Sequence, residues 1–157
     1  MKKTARRIAV ILLALLIAAS MFGCEATEKS KIKRELLAPF ESACHNLDVR
    51  AMVECFNPSV GEPILLVMNT LGIEDTSGIL DRIVDLLDNF WELGVKADAF
   101  FSSLSIKAKA YEFNEDQDRC HVTAVIGYGT GEERKETTAV LKCVKRADKW
   151  YLNGIGF

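Results

Sequence analysis

Five cysteines and two histidines carry most of the reactive chemistry in this chain: Cys24, Cys44, Cys55, Cys120, Cys143, His45 and His121. The pair Cys-His occurs twice, at 44–45 and 120–121, which invites a metal reading. Spacing argues against it. Neighbours on a strand point to opposite faces, and neighbours on a helix diverge by about 100°. No four-ligand zinc spacing is present, so neither a metal nor a cofactor is expected. Disulfide chemistry is the alternative. Cys120 with Cys143, and Cys44 with Cys55, are the candidate pairs, although four thiols allow three connectivities. The plainer reading of all four is that they are small buried hydrophobes.

Cys24 stands apart. Before it lie a basic stretch, "MKKTARR", and 12 apolar residues, Ile8 to Ala19. Extended to Gly23 the uncharged run is 16 residues, short of the ~20 that span a bilayer as a helix. Three readings fit: a lipoprotein signal with Cys24 lipidated, an ordinary secretory signal cleaved near "AAS", and an uncleaved anchor. "MFGC", residues 21–24, resembles the lipobox of bacterial prolipoproteins, with Met21 in the place usually held by Leu, small Gly23 and the obligatory Cys. That resemblance implies a signal peptide over 1–23 and diacylglycerol and palmitate chains at Cys24. It also implies a location on the extracytoplasmic face of the cell membrane. Two or more chains give stable anchoring, where one is marginal. A short polar tether, 24–30, then leads to a folded domain, 31–157.

Composition narrows the partners. Beyond residue 23 there are 16 basic and 22 acidic residues, a balance of −6, which disfavours nucleic acid. Hydrophobic residues make up 49% and charged residues 27%, a globular balance rather than a disordered one.

The elements that would position these residues are legible from periodicity. Ile32, Leu36, Phe40, Ala43, Cys44 and Leu47 recur at helical spacing, with Pro39 predicting a kink or a late start. Asp48 caps a second helix, Val49 to Phe56. "GEPILLVMNTLG" reads as a helix with Pro63 in its first turn and Gly72 at its C-cap. Residues 76–94 read as the clearest amphipathic helix. Its apolar stripe is Ile79, Ile83, Leu86 and Phe90, and its acidic ridge, Asp81, Asp85, Asp88 and Glu92, is a solvated face. From Ala99 the period becomes two. Turns at 114–118, "TGEE" and Ala147–Asp148 place Ile106 opposite Ile126, Ala110 opposite Val122, Cys120 opposite Cys143 and Leu152 beside Cys143. Fold class is therefore α+β, with N-terminal helices packed on a four-stranded antiparallel meander.

The opening "FESACHNLDVRAMVECFNP" and the closing "LKCVKRADKWYLNGI" resemble the NTF2-like (cystatin-like cone) superfamily, and in particular its uncharacterised lipoprotein members. Enzymes on that fold carry an acid or base on the concave sheet face. Parity puts Ile106, Val122, Tyr128, Trp150 and Leu152 there as the possible pocket, with no Asp, Glu, His or Lys among the residues assigned to that face. General acid–base catalysis needs such a group, so a non-enzymatic binding or interaction domain is expected. The alternatives are an enzyme acting on a small apolar substrate, with His45 as its base, and a structural envelope module. The outer sheet face, with Val125, Val140, Val144, Tyr111, Tyr151 and Ile155, is the expected surface for a protein partner or a homodimer.

Overall fold

The computed structural model describes residues 25–72, 78–81, 85 and 96–156. Cys24 and the segment before it lie outside the described residues, as does most of the expected amphipathic helix: of its stripe only Ile79 is described, with Leu80 buried beside it and Asp81 and Asp85 helical and exposed.

Helix α1 runs over residues 25–45 without a break. The expected tether at 25–30 is thus its first turns, because Glu28 and Ile32 both face the core. Pro39 does not delay its start. Instead the preceding turn, Ile32–Leu37, is π-helical, and the Ala38 N–H donates to the Lys33 carbonyl five residues back. Widening that turn relieves the clash a proline ring makes with the carbonyl four residues before it. Leu47, with φ 54°, turns the chain. Asp48 then caps α2, Val49–Glu54, its carboxylate accepting from the Ala51 N–H at 3.0 Å. Helix α3 begins earlier than expected, at Pro58, and spans Pro58–Leu71 with Asn57 as its cap. Pro63 therefore lies inside the helix, while Gly72 closes it in the left-handed conformation, as its position implied. Helix α4, Ala97–Ser102, leads into the sheet.

Strands β1 (Ser105–Phe113), β2 (Arg119–Tyr128), β3 (Lys135–Arg146) and β4 (Lys149–Gly156) form one antiparallel sheet in the order β1-β2-β3-β4. The β2–β3 register is the expected one throughout, with Cys120 opposite Cys143 and Ala124 opposite Ala139. Ala147 and Asp148 form the two-residue turn, both with positive φ, the twist that matches a hairpin.

Two bulges alter the edges. Ile106 faces Ile126 as expected, but the register slips between Ala108 and Ala110, and Val122 then meets Tyr111 rather than Ala110. One extra residue exchanges the faces of everything beyond it. Ala110 is consequently exposed, and Tyr111 and Phe113 pack against the core. Likewise β4 slips after Leu152, so Ile155 pairs with Leu141 instead of lying beside Val140 on the outer face. Helices α1, α2 and α4 cover the inner face. Ile32, Leu36, Val122, Trp150 and Leu152 are each at most 1% exposed at the centre of that layer.

Candidate functional site

The helix layer and the sheet do not close everywhere. Between them lies a cavity of about 200 Å³. From the helices come Phe40, Val49, Met52, Val53, Phe100 and Phe101, and from the link between α2 and α3 comes Phe56. Leu104 and the sheet residues Ile106, Ile126, Ala139, Leu141 and Ile155 complete the described lining. Every one of these side chains is apolar. The second bulge is what brings Ile155 here, and at 41% exposure it stands at the rim. Position 139 explains part of the void. Ala139 and its cross-strand partner Ala124 are both buried small residues, but only Ala139 faces unfilled space. An apolar space of this size has no polar partners to hold water, and dry cavities of ~150 Å³ accept benzene-sized molecules.

Of the five residues expected to form the pocket, Ile106 lines the cavity. Val122, Trp150 and Leu152 are instead wholly buried core. Tyr128 is buried behind the lining, its ring 5.2 Å from that of Phe100. Parity identifies which residues point inward, but not which of those find the space already filled.

The opposite end of the inner face is polar, and this is what the sequence reading missed. Glu28 accepts from the Trp150 indole N–H at 2.8 Å and from Lys145 Nζ at 3.0 Å. Lys31 and Asp148 complete a charge network, 3.2 Å apart. Burial pushes the Glu28 carboxyl up, but the bonds from Lys145 and Trp150 and the charges of Lys145 and Lys31 outweigh it and hold the carboxyl below its ordinary value. The Lys145 ammonium is raised, first by its bond to Glu28. Continuing the parity of β3 by one step past Cys143 reveals Lys145; Glu28 was hidden by reading its segment as a tether.

His45, the candidate base, lies outside the cavity. Its Nε2 donates to the Leu104 carbonyl at 2.5 Å, and the nearby Glu41 carboxylate accepts from the Ile106 N–H at 2.8 Å. Both satisfy backbone at the exposed edge of β1. They line a separate polar groove with Lys33, Lys107 and Tyr111.

Cys44, Cys55, Cys120 and Cys143 are thiols in the structure. The Lys145 N–H donates to the Asp118 carbonyl at 2.7 Å, which makes 118/145, and by alternation 120/143, hydrogen-bonded pairs. Such pairs have Cα atoms about 5.5 Å apart, within disulfide range. Burial pushes the Cys44 and Cys143 thiols to about 12 and Cys120 to about 11. His121 is exposed on the opposite face from Cys120. Among the described residues no three His, Cys, Asp or Glu side chains are grouped to hold a metal ion, and no helix is long and apolar enough to cross a membrane.

On the outer sheet face Val125, Val140 and Tyr151 are half-buried and Val144 is buried. Exposed apolar side chains concentrate elsewhere, on α3: Val60, Ile64, Leu66, Val67 and Leu71. No family model, no curated protein and no solved structure matches the chain.

Proposed function

We propose that this chain is a lipid-anchored extracytoplasmic binding domain that takes a small apolar ligand into the cavity between its helices and its sheet. The observation that carries the reading is the cavity itself, about 200 Å³ with an apolar described lining. Few polar groups are available there to polarise a bond or move a proton, so the expected activity is capture rather than turnover. In the finer picture the domain is an NTF2-like cone, a reading supported by helices packed on one face of a four-stranded meander. Cys24, acylated after cleavage at Gly23, anchors it to the membrane.

The test uses methyl signals of Ile106, Ile126 and Ile155. Adding toluene or hexanol is expected to shift these three and spare isoleucines elsewhere, and Ala139→Leu is expected to abolish the shifts. Unchanged methyl signals, or shifts indifferent to Ala139→Leu, would overturn ligand binding. Acylation is tested separately: an alkyne analogue of palmitate is expected to label the wild-type chain and not Cys24→Ser.

A second reading, a protein-interaction module, is favoured by α3. Val60, Ile64, Val67 and Leu71 recur at spacings of 4, 3 and 4 and are 43–67% exposed, the seam that a second helix covers. Light scattering showing a dimer that Val67→Lys dissociates would support it, and a monomer at high concentration would argue against self-association.

A further inference from the structure

We infer that the domain sits on the bilayer in one fixed orientation, its two hairpin turns, 114–118 and 146–149, against the lipid surface and its cavity turned away. The inference rests on the reading of Cys24 as the acylated residue. Its basis is the path of α1. Near its start, Glu28 bonds Trp150 and Lys145, and Lys31 bonds Asp148 in the β3–β4 turn. Near its end, Glu41 bonds the backbone of Ile106 at the start of β1 and His45 that of Leu104 just before it. The helix therefore runs along the sheet from the hairpin end to the opposite end, its 14 residues from Glu28 to Glu41 rising about 20 Å.

Little slack remains between this clamp and the membrane. Glu25, the first described residue, is already helical and lies three residues, or about 4.5 Å, before Glu28. The Cα of Cys24 is a further ~3.8 Å away by covalent geometry. The acyl-bearing residue is thus within about 8 Å of the clamp, where ten flexible residues would give a reach of roughly 17 Å. A domain joined so closely, through a helix fixed to its sheet, has few orientations open to it.

Charge does not set the orientation. Residues 25–31, 114–119 and 145–149 together hold six Lys or Arg and six Asp or Glu, so this end is neutral toward anionic lipid and salt leaves the pose unchanged. The cavity lies in the other half of the sheet, where Leu104 precedes β1, Ile106 opens it and Ile155 nears the end of β4. Its ligand is consequently collected from the aqueous side rather than drawn out of the bilayer beneath.

The experiment places a photoreactive benzoylphenylalanine at Asp116 or Ala147, and separately at Thr130 or Glu132 in the turn at the opposite end. The full acylated chain is reconstituted in phosphatidylcholine vesicles containing phosphatidylglycerol. Lipid crosslinking at 116 and 147 is expected to exceed that at 130 and 132 at least ten-fold, at low and at high salt. Inserting ten Gly and Ser residues between Cys24 and Glu25 leaves the fold untouched and is expected to even out the yields. Glu28→Ala is expected to do so partially. Equal yields from a wild-type chain whose Cys24 carries its acyl mass would overturn the orientation alone, as would a preference that survives the insertion. Absence of acyl mass on Cys24 would overturn the anchor and the orientation together.

Discussion

The two ends of the inner sheet face solve the same packing problem in opposite ways. At the hairpin end, one helix carboxylate is surrounded by an indole N–H and two ammonium groups, and Trp150 fills the space beneath it with 0% exposure. At the far end, Ala139 and four phenylalanines leave about 200 Å³ unfilled. Polar satisfaction fixes the first end in one arrangement, since each buried group requires its partner. The second end has no directional bond to satisfy and pays for its void only in lost dispersion contacts. Rigidity is thus placed where the chain enters the fold, and adaptability where a guest would enter.

If that division holds, the largest loss follows from truncating the hairpin end. Trp150→Ala removes a wholly buried side chain that packs edge-on against Phe113 and strands Glu28. It is expected to cost about 3–5 kcal/mol in urea denaturation. A loss below about 1 kcal/mol would show that the two ends do not differ in packing.

Glu28→Ala separates bonding from packing. It leaves the Trp150 indole without its acceptor and Lys145 with Asp148 alone, for an expected loss of about 1–3 kcal/mol. Its pH dependence carries a sign. The Glu28 carboxyl sits below its ordinary value of 4.5 in the folded state. Its stabilisation is therefore complete above about pH 4.5 and is lost as pH falls through the lower folded value. The gap between wild type and Glu28→Gln in denaturation midpoint should close on acidification across that window. A gap constant with pH would remove the carboxylate from the account.

The sharpest contrast uses a single cross-strand pair. Ala124→Leu has no space to enter, and overpacking is expected to cost about 1–3 kcal/mol. Ala139→Leu, opposite it, extends into the cavity and is expected to be neutral or stabilising by up to about 1 kcal/mol. Equal losses from both would mean that the cavity collapses.

Much of this architecture was legible in sequence because its signals are local. The period-2 strands, the Asp48 cap, the Gly72 terminus and the β2–β3 register each follow from a few neighbouring residues. What escaped depends on distant ones. A bulge is invisible to parity counting until its partner strand is known, so Tyr111 and Ile155 were assigned to the wrong face. Glu28 reads as a polar tether residue because the two groups that hydrogen-bond it, Lys145 and Trp150, lie more than a hundred residues on. The cavity is a failure of side chains to fill a volume, and no residue type or spacing encodes that.

The smallest effect tests whether the hairpin end is fixed to its tip. Ala147 occupies the first position of the Ala147–Asp148 turn with φ 48°, a conformation that favours Asn or Gly. It is accepted there because the turn presents Asp148, whose carboxylate lies 3.2 Å from Lys31 and 3.1 Å from Lys145. Ala147→Asn keeps the turn type and relieves the left-handed alanine, so stability is expected to rise by about 0.5 kcal/mol. Ala147→Pro forbids positive φ, and is expected to lower stability and displace Asp148 from Lys31, seen as a shift of the Lys31 ammonium signal. If Pro is tolerated and that signal stays in place, the tip is ornamental and the fixed end stops at Trp150.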